Sequence, residues 1–450
     1  MTATHQPRLF GPNRTYDRWR WQVFAITWLA YASFYLTRKS FAVAKIGIEK
    51  DLSFPISTFS MGVIDSLNLT AYALGQFAWG MAGDRLGTRR VILTGMMASI
   101  IVAICAGASP LTIMFGFFCV IQGLCQSSGW APLTKNMSSF FSRHERGLVM
   151  GFWCTNYALG GFIASLLAGY VGDLFGWRYA FFIPACLLFG VWCLIFVFQR
   201  NRPEDVGLPP IDEYHREDDD FAANTAASST PPPPATTEPP ESFWRNVGDV
   251  LTNPKVLILG ASYFMIKPAR YTILFWGPVY VHNKLDTGMT KSAAISSMFE
   301  MAGMFGAISA GFVSDYFFGS RRIPLCVICL TLLGALVLCL DNLPANEVVL
   351  SAALFLMGFL LFAPDTLISG AAAIDFAKRK GASTASGMVN GLGSVGAVLG
   401  GLIPGIREVL GWDWNVVFWI LCGMIFSAVA ILLPLWNAAP NAKPVAQPRA

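Results

Sequence analysis

Residues 83–90 read GDRLGTRR, and the pattern returns at 314–322 as SDYFFGSRR. Both copies follow an apolar run, and the aspartate of the first, Asp84, answers Asp315 in the second. Two further pairs keep nearly the same interval along the chain. Pro132 in GWAP (129–132) answers Pro364 in FAPD (362–365). FGWRYAFFIPACLLFG (175–190) answers LGWDWNVVFWILCG (410–423), with Trp177 and Trp412 set slightly further apart than the other pairs. Small insertions produce such drift, so the chain reads as two tandem copies of one unit.

The unit is made for lipid. Only 13% of the 450 residues are charged and 54% are hydrophobic, with mean hydropathy +0.51. Soluble globular chains carry about 25% charged residues. Twelve apolar segments fall near 20–40, 58–82, 91–108, 111–139, 148–171, 178–198, 254–281, 292–317, 323–340, 347–375, 383–406 and 414–436. A bilayer crossing needs roughly 20 residues. Backbone groups in lipid must pair internally, which predicts helices. The fold expected is an all-α membrane protein of twelve transmembrane helices, in two six-helix halves related by a pseudo-two-fold repeat.

The organisation follows. Residues 1–19 form an N-terminal tail, 20–198 the first bundle, 199–253 a linker, 254–436 the second bundle and 437–450 a C-terminal tail. The linker holds the acidic run DEYHREDDD (212–220) and TAASSTPPPPATTEPPES (225–242), compositions that build no core. Basic residues cluster on one side: Arg14, Arg18 and Arg20; Arg85, Arg89 and Arg90; Arg143 and Arg146; Arg200 and Arg202; Arg321 and Arg322; Lys378, Arg379 and Lys380. The positive-inside rule places both termini and the linker in the cytoplasm of a multi-pass protein of the cell's inner (plasma) membrane. All ten cysteines lie in apolar segments, including the CxxC of Cys326 and Cys329, so packing outweighs redox or metal chemistry. His5, His144, His215 and His282 are assigned to loops or tails, leaving no metal site. No Ser/His/Asp set or nucleotide loop is visible, and an enzyme is not expected.

The stretch YASFYLTRKSFAVAK (31–45) ends the first apolar segment with adjacent cations, Arg38 and Lys39. Tyr31, Tyr35 and Arg38 are spaced i, i+4, i+7 and share a helix face. Shifted by the interval from Pro132 to Pro364 they become Tyr263, Lys267 and Arg270, again on one face. A charge in a membrane helix costs about 2.5–3.5 kcal/mol on insertion scales, so a repeated arginine is a functional signal. Its planar fork matches phosphate bidentately, and two forks from opposing halves could hold one dianion. Snorkelling to the interface is the alternative, stronger for Lys39 than for Arg270. The intramembrane acids Asp65, Glu300 and Asp365 do not repeat. They balance empty-site charge, or one carries a proton. The Asp84–Arg85 loop is both a topogenic signal and a gate element able to pair across the halves.

Six plus six segments in parallel repeats, and the D-R-x-G-x-R-R loop, resemble the major facilitator superfamily, in which substrate sits near the midplane between halves. YLTRKSF (35–41), QSSGWAP (126–132), ERG (145–147), RPEDVG (202–207) and ARYTILFWGPVY (269–280) narrow the likeness. With them the chain resembles the organophosphate:phosphate antiporter family. SMFEMAGMFGAISAGFVSD (297–315) points to its hexose-phosphate transporter and sensor branch, alongside the glucose-6-phosphate exchangers.

The resemblance implies that Arg38 and Arg270 bind the phosphoryl group, with Tyr31, Tyr35, Lys267 and Trp130 around it. Lys39, Asp84, Arg85, Glu300 and Asp365 are then gating or charge-balancing groups. Gln76 stands where the glycerol-phosphate type has a lysine and Tyr157 where it has a histidine. Phe275 replaces an acid able to pair with the Lys39 equivalent, and Lys267 replaces the usual tyrosine. These departures favour a larger sugar phosphate such as glucose 6-phosphate, or phosphoglycerate, exchanged for inorganic phosphate. No cofactor, metal or nucleic acid is implied, and the chain is expected to work as a monomer in the bilayer. Two other readings stay open: a membrane sensor of sugar phosphate acting on a histidine kinase, and a proton-coupled carrier of another anion.

Overall fold

The computed structural model describes residues 14–141, 146–211, 252–319, 321–376 and 382–438. Among these residues there is no strand. The first half runs α1 (Arg14–Arg38, resumed after Lys39 as Ser40–Lys50), α2 (Thr58–Leu86), α3 (Thr88–Ala108), α4 (Thr112–Gln126, resumed as Trp130–Phe140), α5 (Arg146–Trp153, resumed as Thr155–Phe175) and α6 (Tyr179–Phe198). The second runs α7 (Pro254–Leu285), α8 (Met289–Phe318), α9 (Arg322–Cys339), α10 (Glu347–Thr366, extended by a π-helical turn Leu367–Ala372 and by Ala373–Phe376), α11 (Ala382–Leu410) and α12 (Trp414–Leu432). These elements follow the twelve apolar segments one for one.

Nine of the described helices are long and apolar enough to cross a membrane. The other three, α1, α2 and α7, are 25, 29 and 32 residues long but more polar. Among their polar residues are the intramembrane charges Arg38, Asp65, Lys267 and Arg270.

The repeat is visible in backbone geometry. Gly87 (φ +84°) and Gly319 (φ +57°) lie within the two basic-loop motifs, at the C-caps of α2 and α8. Gly176 (φ +98°) and Gly411 (φ +63°) precede Trp177 and Trp412. Positive φ strains any residue with a Cβ, so these turns need glycine. Trp177 donates its indole N–H to Asp51 at 3.0 Å. The Ser53 hydroxyl and this indole hold the Asp51 carboxyl below the usual carboxylate range.

Three details depart from expectation or complete it. His282, assigned to a loop, lies buried on the last turn of α7 with its ring against the Thr287 carbonyl. His5, His144 and His215 lie outside the described residues. Residues 199–211, at the start of the expected linker, pack on the first half. Asn136 Nδ2 donates to the carbonyls of Arg200 and Asn201, both at 2.8 Å, and the Tyr16 hydroxyl donates to Pro209 at 3.2 Å. The rest of the linker, to residue 251, lies outside the described residues. The side chains of Asp84 and Asp315 do too, while Arg85 is exposed.

The halves meet along α2–α11 and α5–α8. Small residues bring the first pair close: a Cβ built on Gly62 would lie 2.8 Å from the Gly405 Cα. Among the described residues, bonds between the halves fall from mid-depth to the end of the bundle opposite the chain termini. Ser66 Oγ donates to the Val398 carbonyl at 2.9 Å. Lys45 Nζ donates to the Phe275 carbonyl at 3.1 Å. This opposite end, here called the far end, is drawn together.

Candidate functional site

Between the halves lies a cavity of about 790 Å³. Its lining includes Tyr31, Tyr35 and Arg38 from α1 and Tyr263, Lys267 and Arg270 from α7. The face predicted from i, i+4, i+7 spacing therefore forms in both halves, and the two faces share one space. The cavity continues past Gln76, Met150, Ile308 and Ser386, residues nearer the termini end on their helices. It thus extends from the arginines toward the termini, away from the closed far end.

The two arginines differ in their partners. Arg38 donates from Nε to Gln126 Oε1 at 2.7 Å, and its guanidinium lies over the rings of Tyr35 (4.6 Å) and Tyr72 (4.9 Å). Its Nη2 is buried without a hydrogen-bond partner among the described residues. Arg270 donates from Nη1 to Asp365 Oδ2 at 2.7 Å and lies over Phe362 at 4.4 Å. Asp365 also accepts from the Tyr263 hydroxyl at 3.0 Å and pairs with Lys267 at 3.4 Å. The same helix pairing, first with fourth in each half, thus supplies a neutral partner to Arg38 and an anionic one to Arg270.

Lys39 sits at the break in α1. It pairs with Glu300 of α8 at 2.8 Å and donates to the Leu274 carbonyl at 3.3 Å. Its carboxylate partner therefore comes from α8, while the α7 position implied by the resemblance is the buried aromatic Phe275. Three cations (Arg38, Lys267, Arg270) and two carboxylates (Glu300, Asp365) line the cavity, and Lys39 adds a fourth cation behind Glu300.

The remaining candidates line the same space. Trp130 packs edge-on to Tyr31 at 5.2 Å and tilts against Trp153 at 5.7 Å. Trp153 is anchored by an indole bond to Thr27 at 3.0 Å. Tyr157 of α5 stacks on Phe362 of α10 at 6.4 Å, spanning the halves. Gln76 lies on the α2 wall. Arg85 is exposed and lines no part of the cavity, so it is not brought together with this group.

Several polar residues were not singled out in advance. Tyr72 and Asn68 share the α2 wall with Gln76. Tyr72 and Gln76 stand i, i+4, a spacing that marks one face. Lys45 is fully buried and pairs with Asp65, with the Trp276 ring 3.8 Å from its ammonium. Its signal was available: it follows Arg38 at an i, i+7 spacing, one more step along the same face.

A family model described as Major Facilitator Superfamily matches residues 27–401. The "Glycerol-3-phosphate transporter" of Bacillus subtilis (strain 168) is 32% identical over 449 residues, covering 96% of this chain and 95% of that protein. The "Probable hexose phosphate transport protein" of Chlamydia trachomatis is 30% identical over 442 residues, covering 95% and 93%. The "Membrane sensor protein UhpC" of Salmonella typhimurium is 29% identical over 426 residues, covering 94% and 93%. Among solved structures, the inward-facing, unoccupied form of a bacterial homologue of the human lysosomal transporter Spinster superposes with TM-score 0.68 at 15% identity, covering 94% of this chain and 95% of that one. At that identity the likeness speaks to fold alone. Matched along nearly its whole length, the chain belongs to the Major Facilitator Superfamily, in its organophosphate:phosphate antiporter branch.

Proposed function

We propose that this chain is a secondary transporter that exchanges a sugar phosphate for inorganic phosphate by alternating access. Arg38 and Arg270 clamp the phosphoryl group. The observation that carries the reading is that two repeat-related arginines from opposite halves line one cavity. The excess of four cations over two carboxylates suits a phosphate dianion. The names of the relatives support an organophosphate, and the uncharged Gln76 and Tyr157 on the wall favour a hydroxyl-rich substrate such as glucose 6-phosphate over glycerol 3-phosphate. Lys267 would also accommodate the second acidic group of a phosphoglycerate.

The mechanism follows from the partners. Arg38 is held by the neutral amide of Gln126 with no carboxylate competing for it, so it meets the incoming anion first. Arg270 is released to the substrate as Asp365 falls back on Lys267 and Tyr263. With both arginines on one phosphoryl group the halves are drawn together on the substrate, and the Lys39–Glu300 roof gives way. An empty site is left with unneutralised charge, which disfavours the return step without an anion and couples export of one phosphate to import of another. With the termini in the cytoplasm of a bacterial inner membrane, the cavity faces inward.

The sensor relative supports a second reading, in which the same cavity binds sugar phosphate and the signal passes to a kinase. Reconstituted vesicles separate the two. Vesicles loaded with inorganic phosphate should take up labelled sugar phosphate and release phosphate. Equal uptake into phosphate-free vesicles would remove exchange, and binding without flux would favour the sensor.

A further inference from the structure

Two carboxylates that line no part of the cavity sit at the far end, where the halves meet. Asp173, near the end of α5, accepts the Met289 N–H on Oδ1 at 2.8 Å and the Thr290 N–H on Oδ2 at 2.7 Å. Met289 and Thr290 are the first two residues of α8, whose N-cap is Gly288 and makes no side-chain cap bond. Glu408, near the end of α11, accepts the Phe59 N–H on Oε2 at 3.3 Å. Phe59 is the second residue of α2, where Ser57 caps Ser60 at 3.1 Å.

Both contacts cross between halves, and the repeat maps one onto the other. Asp173 and Glu408 are separated by the same interval as Trp177 and Trp412. Phe59 and Thr290 are separated by the same interval as Asp84 and Asp315. The packing beside them is shared as well. A Cβ built on Gly169 would meet the Met289 carbonyl at 2.8 Å, and one on Gly405 the Thr58 carbonyl at 3.2 Å. Each half thus offers an acid from its fifth helix to the start of the other half's second helix.

The physics favours the closed far end. A helix start leaves four N–H groups without internal partners and carries about half a positive charge. Here the missing acceptors come from the opposite half. The contacts lie at the exposed rim of the far end, so parting α5 from α8, or α11 from α2, exchanges them for water and gives up the attraction between each carboxylate and the helix start, and at Gly288 the side chain offers no replacement. A rocking motion of one half against the other breaks both contacts at once.

We propose that Asp173 and Glu408 are a matched pair of gate residues that hold the far end shut while the cavity is open toward the termini. Their place in a transport cycle rests on the function proposed above. Their effect on the balance between the two open forms does not.

The test is hydrogen–deuterium exchange on the full-length protein in detergent without substrate, comparing wild type with Asp173→Ala and Glu408→Ala. Each variant should speed exchange at both helix starts, 58–61 and 289–292, by about two- to fivefold, the range of a charge at a helix terminus. Each should also slow exchange in the cavity-lining segments 304–308 and 386–394 as the termini side closes. If Asp173→Ala exposed only 289–292, and Glu408→Ala only 58–61, the two acids would be local caps and the proposal would fall. Should one variant fail to fold, the other still reads the distant contact. Absence of flux in wild-type vesicles would sink the transport reading and leave this outcome standing.

Discussion

Lys39 of α1 and Glu300 of α8 form an ion pair at 2.8 Å that joins the two halves above the cavity. Both are buried, at 4% exposure each. Lys39 directly follows Arg38 in the chain, so any movement of Arg38 is felt at this pair. The bond is thereby a candidate reporter of whether the site is loaded.

Breaking such a pair by removing one partner leaves a bare charge in low dielectric, at a cost of about 3–5 kcal/mol. Lys39→Met and Glu300→Gln should each lower the melting temperature in detergent and reduce exchange at least tenfold. The double variant Lys39→Met/Glu300→Gln should regain much of the lost stability, because no unpaired charge remains. Additive losses in the double variant would show that the two residues are not energetically coupled.

At the proposed clamp, Arg38→Lys and Arg270→Lys test geometry rather than charge. Lysine keeps the cation and loses the planar fork. Binding of inorganic phosphate and of sugar phosphate should fall together, more than tenfold, since both present the same phosphoryl group. Competition against labelled phosphate in proteoliposomes measures this. A variant that still bound phosphate and lost only the sugar phosphate would move that arginine away from the phosphoryl group.

Asp365 holds Arg270, Lys267 and Tyr263. Under the proposed function an arriving anion competes with it. Asp365→Asn keeps the shape and removes the charge, so the KM for phosphate should fall severalfold. Turnover should fall as well, because release of a tighter-held anion slows. Steady-state exchange kinetics reads both. An unchanged KM would mean that Asp365 does not compete with substrate.

The sequence carried the architecture because lipid imposes a simple rule: long apolar runs, each closed on its own hydrogen bonds. The interval between Asp84 and Asp315 then ordered the halves, and Tyr31, Tyr35 and Arg38 gave one cavity face by spacing alone. What it did not carry were partners that depend on how halves dock. Nothing in the order of residues says that Lys39 reaches α8 rather than α7, or that Asp365 serves three groups at once. Lys45 escaped notice because a lysine at a helix end usually snorkels. Here it is enclosed by Asp65, the Phe275 carbonyl and Trp276. The caps at Asp173 and Glu408 were equally hidden, since each acid reads as an ordinary charge near a turn until the opposite half is in place.

Selectivity for the organic part of the substrate should lie with the wall residues that add hydrogen bonds without fixed charge. Tyr157 and Gln76 come from different helices and line the same space, and Tyr157 is held in orientation by its stack on Phe362. That stack uses the ring, so Tyr157→Phe should preserve the fold and remove only the hydroxyl. Tyr157→Phe and Gln76→Ala should each weaken sugar phosphate relative to free phosphate by about 1 kcal/mol per lost hydrogen bond, close to fivefold in relative affinity. Lys267 acts differently, because it is a charge shared with Asp365 one turn from Arg270. Lys267→Met should weaken the most highly charged substrates most, with phosphoglycerate affected before hexose phosphate. Competition of a panel of organophosphates against labelled phosphate exchange gives the ranking. If all three variants kept the wild-type order, the discriminating contacts would have to lie on the opposite wall, where Asn390 donates to the Ser369 and Ser386 carbonyls at 3.3 and 2.9 Å.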